Sequence, residues 1–270
     1  MIRIVLLGAA GRMGRAVQHA VEGSREVEIR VRVERRDRIP PAAARAPGEA
    51  WSESLEGSVT AGDLVVDFSS APGTRAAARV CADRGAPLVS GTTGLDPAAE
   101  DELRAASSRI AVLRAANFSL GVAALRRALA AAIAALPASW DVEIVERHHR
   151  GKVDSPSGTA LLLAKDASQR RGWTADALRF GREGRTGPRP AAEIGVHAVR
   201  GGTWIGDHAV LLSGEGEWLE LRHVASDRQA FAHGALAAAR FMATAAPGLY
   251  TMDDLLDSVG RRETQPGLES

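Results

Sequence analysis

The sequence predicts an α/β protein with two domains, the first built on a parallel sheet and the second, an α+β domain, on a mixed sheet. Three observations support this fold class. An apolar strand near the start is followed by a glycine-containing loop and then by a helix. Apolar runs then alternate with helical stretches as far as residue 118. Beyond the alanine-rich helix that follows, polar and apolar residues alternate, as in strands with one covered face.

Composition bounds the function before any motif is considered. The chain has 270 residues, 45% hydrophobic and 25% charged, which is enough for two cores. Its net charge is 34 − 33, or +1, so no general attraction to nucleic acid or membranes is expected. The single cysteine, Cys81, excludes an internal disulfide. Without an apolar run long enough to span a bilayer, and with Met1 leading directly into a strand, we expect a cytoplasmic protein.

Residues 3–14 have the order of a strand, a phosphate loop and a helix start, and the predicted helix continues over 15–21. This order is typical of a Rossmann-like dinucleotide-binding fold. The glycines stand at Gly8, Gly11 and Gly14, whereas the most common spacing would place a glycine at Ala9. The loop therefore matches the dinucleotide pattern in part.

The second predicted strand, residues 27–33, leads to Glu34, 34 − 14 = 20 positions beyond Gly14. An acidic residue at this point binds the adenosine ribose hydroxyls. Arg35 and Arg36 follow, and guanidinium groups suit a 2′-phosphate, with roughly 1.5–3 kcal/mol for each charge-assisted hydrogen bond. Alternatively the arginines are surface charges. The pairing of Glu34 with Arg35 predicts that either NADH or NADPH is used.

The next strands are predicted at residues 64–68 and 87–90, separated by a helix over 74–84. Their alternation predicts a parallel sheet whose carboxyl edge binds ligands. Phe68, Ser69 and the turn at 91–94 would lie at this edge, although such turns are also ordinary loops. Residues 40–49, rich in alanine and proline, are predicted to be a surface insertion without an assigned role.

The second domain begins after a strand at 110–113, with a helix predicted over 121–136. A final helix over 229–245 is predicted to pack back on the first domain. The remaining predicted strands lie at 141–146, 193–200, 208–213 and 217–223. We therefore predict a discontinuous dinucleotide-binding domain, residues 1–118 and 228–270, and a substrate-binding domain, residues 119–227.

A cationic segment at residues 143–160 carries the strongest chemical signal. His148, His149 and Lys152 are predicted to lie on a loop between a strand that runs to residue 145 and an apolar helix over 160–167. Ser157 can cap that helix, whose free amide groups favour a carboxylate or phosphate. The segment is either a solvated basic loop or a site that binds an anion and protonates it, and the helix start favours the site.

The other histidines are predicted to be packing or surface residues, since each stands alone in a predicted element. They are His19, His197, His208, His223 and His233. Their spacings match no familiar zinc motif, so we predict no catalytic metal.

On these residues the chain resembles the dihydrodipicolinate reductase family, the 4-hydroxy-tetrahydrodipicolinate reductases of the diaminopimelate route to lysine. The family's characteristic segment matches Glu143, Glu146, His148, Lys152, Asp154 and residues 156–160. The resemblance extends over nearly the whole chain. It includes residues 8–13, Glu34 with Arg35, Asp67 with Phe68, residues 91–93, 115–118 and 182–187, and Phe231. Ser69 departs from it, because relatives commonly have threonine there.

The resemblance implies a reductase that uses NADPH or NADH, binds a dicarboxylate and forms a homotetramer through its second domain. His148 would be the general acid and Lys152 a second proton donor. The implied substrate-binding residues are His149, Ser157, Gly158 and Thr159. The implied pyrophosphate loop is Gly8, Ala9, Ala10, Gly11, Arg12 and Met13, with Glu34 and Arg35 at the adenosine ribose and its phosphate. At the nicotinamide end the implied residues are Gly91, Thr92, Thr93, Ala115, Ala116, Asn117 and Phe118.

Two other hypotheses remain open from the sequence. A nicotinamide-dependent dehydrogenase of a related amino or keto acid would share the fold but not the substrate. A non-catalytic nucleotide sensor would need the glycine loop and Glu34 but not the histidines, the lysine and the Ser-Gly-Thr turn. Activity on the dipicolinate precursor separates the reductase from the related dehydrogenase. Cofactor binding without oxidation in the presence of substrate would favour the sensor.

Overall fold

The structure is a computed structural model and describes residues 1–263. The first elements are β1 (Ile2–Leu7), α1 (Arg12–Val21), β2 (Val27–Val33), β3 (Trp51–Ser52), β4 (Asp63–Asp67), α2 (Ala71–Arg84), β5 (Leu88–Ser90), α3 (Pro97–Ala106) and β6 (Ala111–Arg114). They are followed by α4 (Leu120–Ala135), β7 (Asp141–His148), α5 (Gly158–Arg171), β8 (Leu178–Phe180), β9 (Ile194–Arg200), β10 (Gly206–Ser213) and β11 (Trp218–Ala225). The last are α6 (Gln229–Met242), β12 (Gly248–Tyr250) and α7 (Met252–Glu263).

The chain forms two compact units. One contains Met1–Leu120 together with the segment that begins at Gln229, and the other is Gly121–Arg228. Helix α6 belongs to the first unit and packs against α1.

The first unit is built on a seven-stranded parallel sheet with the order β12-β6-β5-β4-β1-β2-β3. In this sheet β2 lies on one side of β1 and β4 lies on the other, so the direction in which strands are added reverses at β1. In open parallel sheets, ligands bind beyond the carboxyl ends of the strands at such a reversal. The last four residues of β1 and all five of β4 are buried, as expected of strands covered on both faces.

Several boundaries in the first unit differ from the prediction. Helix α1 begins at Arg12 rather than at residue 15, and α2 begins at Ala71 rather than at residue 74 because the Ser70 hydroxyl accepts a hydrogen bond from the Gly73 N–H. The segment predicted as an insertion contains a short 3₁₀ turn, Ala42–Ala44, and leads into β3, which pairs with β2. This segment therefore delivers an edge strand.

The second unit is built on a five-stranded mixed sheet with the order β11-β10-β7-β9-β8. Strand β7 is antiparallel to β10 and parallel to β9. Its residues alternate in burial, and Val142 and Ile144 pack in a core with Leu129 from α4 and Leu163 from α5. Together the two sheets confirm the predicted fold class.

The other face of this second sheet carries exposed apolar side chains. Trp218 is 71% exposed, Val224 56% and Val199 40%. These residues belong to β11 and β9. A solvent-facing apolar surface of this kind is typical of an interface.

Among residues 1–263, no helix combines the length and the apolar content that crossing a membrane requires.

Candidate active site

The dinucleotide loop lies between β1 and α1, and its glycines are required by close backbone contacts. Gly8 has a φ of 80°, and a Cβ there would overlap the Phe68 carbonyl. A Cβ at Gly14 would overlap the carbonyl oxygens of Gly8 and Ala9. Gly11 stands at the N-cap of α1 and has no side chain to cap the helix. The first turn of α1 is therefore open to an anionic ligand such as a pyrophosphate.

Glu34 lies beside this loop with its carboxylate fixed by backbone amides. The carboxylate accepts hydrogen bonds from the N–H groups of Ala10 and Arg35, both at 3.1 Å, and Arg38 lies 3.7 Å away. The Arg35 guanidinium forms an exposed ion pair with Asp37 at 2.8 Å. A cleft of about 350 Å³ is lined by Gly8, Gly11, Glu34, Arg35, Phe68 and Ser69. These predicted cofactor residues thus share one cavity.

The predicted nicotinamide segments follow β5 and β6. Ala115 donates its N–H to the Ser90 carbonyl at 3.1 Å, which joins the two strand ends. The rings of Phe68 and Phe118 meet edge to face with centroids 5.5 Å apart. Gly91 lies against both rings, and a Cβ at this position would overlap the aromatic ring of Phe68.

A buried carboxylate, which the sequence did not reveal as functional, organises these strand ends. Asp67 is 0% exposed and accepts five hydrogen bonds within 3.1 Å. The donors are the N–H and hydroxyl of Ser69 and the hydroxyls of Thr74, Ser90 and Thr92. Asp67 therefore joins the end of β4 to the end of β5, the turn after it and α2.

The predicted proton donor lies on a strand rather than on a loop, which corrects the prediction. Strand β7 extends to His148 because it pairs with β10 as far as Arg147 and with β9 as far as His148. His148 is 8% exposed, and its Nδ1 lies 2.6 Å from a carboxylate oxygen of Glu146. The imidazole is therefore anchored by its own strand.

Glu146 is fully buried and holds three partners. Its Oε1 accepts the Ser157 N–H at 2.9 Å, and Arg200 donates to both oxygens at 2.7 and 2.8 Å. Burial raises the pKa of Glu146, but the hydrogen bonds from His148, Arg200 and the Ser157 amide outweigh it and lower the pKa to about 2. Glu146 is therefore ionised at neutral pH.

Lys152 lies on the loop after β7 and pairs with an acidic neighbour. Its ammonium donates to Asp154 at 2.8 Å, and 21% of its side chain is exposed. Its N–H donates to the His149 carbonyl at 3.1 Å, while the His149 N–H donates to the Trp204 carbonyl at 2.8 Å. These backbone bonds fix the loop that carries both cationic residues.

The start of α5 has the predicted cap. The Ser157 hydroxyl accepts the Ala160 N–H at 3.2 Å, and Gly158 and Thr159 form the first turn. The Nε2 of His208 lies 3.0 Å from the same hydroxyl, and its ring centroid is 5.1 Å from that of His148. Burial and the neighbouring His148 lower the pKa of His208 to about 4, so it is neutral at pH 7.

Glu146 thus joins His148 to Ser157, which precedes Gly158 and Thr159 in the first turn of α5, whereas Lys152 pairs with Asp154. No functional role was predicted from the sequence for Glu146, Arg200 or His208. Glu146 was visible in the motif, but the other two come from β9 and β10, and only the strand register places them opposite His148 and Glu146. The described residues contain no group of three or more His, Cys, Asp or Glu suited to hold a metal ion.

Comparison with known families gives matches along most of the chain. Residues 2–118 match the model described as dihydrodipicolinate reductase, N-terminus, and residues 121–256 match that of the C-terminus. The 4-hydroxy-tetrahydrodipicolinate reductase of Caulobacter vibrioides is 43% identical over 260 residues, covering 94% of this chain and 97% of the relative. That of Nitrosomonas europaea is 39% identical over 262 residues, with 94% and 98% covered.

Solved structures show the same fold. A dipicolinate-bound dihydrodipicolinate reductase from Paenisporosarcina sp. TG-14 aligns with a TM-score of 0.75 and 24% identity, covering 93% of this chain and 97% of the other. An amine dehydrogenase from Mycobacterium smegmatis aligns with a TM-score of 0.57 and 15% identity, covering 93% and 95%. The same fold therefore occurs in an amine dehydrogenase as well as in a dihydrodipicolinate reductase.

Proposed function

The chain belongs to the dihydrodipicolinate reductase family, and we propose that it protonates its substrate where the end of β7 meets the start of α5. The protein is an NAD(P)H-dependent oxidoreductase that reduces 4-hydroxy-tetrahydrodipicolinate to tetrahydrodipicolinate in the diaminopimelate route to lysine. Family membership therefore favours the reductase over the other dehydrogenase and the sensor. The observation that carries the assignment of the site is that Glu146 contacts both His148, at 2.6 Å, and Ser157, at 2.9 Å.

The cofactor is assigned to the predicted loop and strand ends. Gly8 and Gly14 allow the close backbone packing that shapes the loop proposed for the pyrophosphate, and Glu34 is held beside this loop for the adenosine ribose. Residues 8–13, Glu34 and Arg35 would hold the adenosine half, and residues 91–93 and 115–118 the nicotinamide. Bound NADH or NADPH supplies the hydride. The residues of this chain orient the cofactor.

The substrate is assigned to the second unit. A carboxylate suits the start of α5, where the N–H groups of Gly158 and Thr159 and the Ser157 hydroxyl converge, with His149 on the preceding loop. The dipicolinate in the Paenisporosarcina enzyme, which is a dicarboxylate, supports a substrate of this class.

The proton is assigned to His148 and Lys152. Hydride addition to a ring conjugated with an imine leaves an electron pair that takes up one proton. Because Nδ1 of His148 faces Glu146, its Nε2 is the atom that donates to the substrate. Lys152 is the second donor, and its charge stabilises the electron density as it develops.

Turnover measurements test these roles. The absorbance of NADPH or NADH is followed while the substrate is generated from pyruvate and aspartate semialdehyde by the preceding condensing enzyme. We expect His148→Ala and Lys152→Ala each to lower kcat by ~10²–10⁴-fold, the usual effect of losing a general acid. Normal turnover in both variants would remove the assigned roles, and a folded wild-type protein that oxidises neither cofactor would contradict the reductase function.

We also propose how the chain is organised in the cell. Residues 1–118 and 228–270 are assigned to the cofactor domain, and 119–227 to substrate binding and assembly. A homotetramer is supported by the exposed apolar face formed by Trp218, Val224 and Val199. The enzyme is assigned to the cytoplasm, and its net charge of +1 supports a protein with neither nucleic acid nor a membrane as partner.

A further inference from the structure

Glu146 touches both parts of the proposed substrate site, the proton donor and the start of α5. It lies on the buried face of β7 and is 0% exposed. One carboxylate oxygen faces Nδ1 of His148 at 2.6 Å, and the other accepts the N–H of Ser157 at 2.9 Å. A single rigid carboxylate therefore spans the proton donor and the cap of the helix assigned to the substrate carboxylate.

Arg200 fixes that carboxylate in turn. Its two terminal nitrogens donate to the two oxygens of Glu146, at 2.7 and 2.8 Å, in the two-point geometry that only a guanidinium provides. One of them also donates to the Asp154 carbonyl at 2.7 Å, on the loop that leads to Ser157. The Glu146–Arg200 pair thus holds this loop at two points and neutralises a charge that would be costly to bury alone.

We propose that Glu146, held by Arg200, is the positioning residue of the reductase: it sets the spacing between the imidazole of His148 and the carboxylate-binding start of α5. This inference rests on the function proposed above. Because Glu146 takes the Nδ1 side of His148, it also directs Nε2 towards the substrate. Because the donor is held rigidly relative to the bound carboxylate, the proton can be transferred to the substrate without further reorganisation of the site.

Glu143 provides a matched control on the same strand. It lies on the opposite face of β7, and burial raises its pKa, but hydrogen bonds from Arg182, His197 and Arg189 lower the pKa to about 2. Its carboxylate is therefore as firmly paired as that of Glu146, yet its three partners lie outside the proposed site. Glu143→Gln removes a paired charge from β7 without touching His148 or Ser157.

The experiment compares Glu146→Gln with Glu143→Gln in the full-length enzyme. We expect Glu146→Gln to lower kcat by about 10²-fold, the scale of a misplaced reacting group, and to weaken the binding of pyridine-2,6-dicarboxylate measured by calorimetry. Glu143→Gln is expected to lower the melting temperature but to keep kcat and this affinity. Equal losses of activity in both variants, or normal kcat and affinity in Glu146→Gln, would overturn the proposal.

The pH profile of kcat adds a readout that a merely structural role would not move. The charged and titratable groups facing His148 are Glu146 on its own strand, Arg200 on β9 and His208 on β10. Glu146→Gln removes a negative charge beside the proposed proton donor, so the alkaline limb of the kcat profile should shift to lower pH. An unshifted limb in an active Glu146→Gln enzyme would contradict the proposal.

A second variant covers the case in which Glu146→Gln does not fold. Arg200→Lys keeps the charge but loses the two-point contact, and we expect the same losses of kcat and dicarboxylate affinity, reduced in size. Unchanged values in Arg200→Lys would then overturn the proposal. Wild-type protein that binds the dicarboxylate but oxidises no cofactor would instead remove the proposed function, while the affinities of the variants still decide the role of Glu146.

Discussion

Asp67 shows how one buried residue sets the geometry of a binding edge. Three hydroxyl groups, from Thr74, Ser90 and Thr92, converge on one of its oxygens, and Ser69 occupies the other. The carboxylate has exchanged water for protein donors that belong to separate elements. Its loss would leave those donors buried and free each strand end to move.

Asp67→Asn is expected to lower the free energy of unfolding by roughly 1–3 kcal/mol, because one oxygen that accepts hydroxyl protons becomes a donor. It should also weaken NADPH binding, since Ser69 and Thr92 are no longer held at the cofactor cleft. Urea unfolding and fluorescence titration measure the two effects. The control is Asp63→Asn, at the other end of β4, whose partners are Arg30 and Thr60. Equal NADPH affinity in the two variants would contradict this role.

His208 is expected to make stability depend on pH. The pKa of His208 is about 4 in the folded protein, below its ordinary 6.5. As the pH falls, this imidazole therefore takes up a proton in the unfolded chain before it does so in the folded protein. The stability it contributes is complete above pH 6.5 and is lost as the pH falls to 4, by about 3 kcal/mol. Burial is the main cause of this lowered pKa, and the charged or titratable neighbours that modify it are His148, Glu146, His223 and Asp207.

Urea unfolding of the wild type and of His208→Gln across pH 4–7 measures this contribution. The two free energies of unfolding should converge or cross as the pH falls, because only the wild type loses this term. His19→Gln on α1, where the imidazole is exposed, serves as the control. Parallel curves for the wild type and His208→Gln would show that His208 does not carry the effect.

At the residue scale, sequence spacing predicted side chains that lie close along the chain. His148, Lys152 and Ser157 belong to one short segment, so their motif was visible. The Glu146–Arg200 contact joins residues 54 positions apart, and it depends on which strands become neighbours. No periodicity carries that information, and for the same reason the donors of Asp67 were not predicted.

Among the elements, the turn from β1 into α1 requires glycine at position 14 for its packing. Gly14 faces the carbonyl oxygens of Gly8 and Ala9, leaving no room for a methyl group. Any side chain at this position would push the helix away from the loop. The absence of a Cβ at Gly14 is therefore a requirement for packing the helix against the loop.

Gly14→Ala is expected to destabilise the protein by roughly 1–3 kcal/mol through this overlap and to weaken NADH and NADPH binding alike. The matched change is Gly260→Ala in α7, where a Cβ would meet open space. That variant should be more stable than the wild type by about 0.5–1 kcal/mol, because alanine loses less entropy in a helix. Thermal unfolding and cofactor titration check both, and tight cofactor binding by Gly14→Ala would contradict the expectation.

Most elements with a sustained pattern were predictable, whereas three of the shortest strands and two helices were not. Strand β2 has the predicted bounds, and α2 and β9 end where predicted, because each has several residues of consistent pattern. Strands β3, β8 and β12 contain two or three residues, too few to show a period, and they form through pairing with an existing neighbour. Helices α3 and α7 were also missed, although α3 has a capping Asp96 and Pro97 at its start.

For the whole molecule, the exposed apolar side chains of the second sheet lie where we propose that the homotetramer forms. Trp218→Arg places a charge on this face, where Trp218 is 71% exposed, and is expected to break the proposed homotetramer. The control is Leu249→Arg on β12 of the first unit, where the side chain is 49% exposed. Light scattering after gel filtration should give four chains for the wild type and the control. A monomeric wild type, or a tetrameric Trp218→Arg, would contradict the proposal.

The first unit draws on both ends of the sequence, and this has a consequence for biosynthesis. Strand β12 pairs with β6, and α6 packs on α1, so these partners leave the ribosome only after the entire intervening unit. The second unit is one continuous segment that has all its strands once Arg228 has emerged. The nascent chain therefore finishes the half that carries His148 while the nucleotide half still has an unpaired sheet edge, the state in which a growing polypeptide needs protection from aggregation.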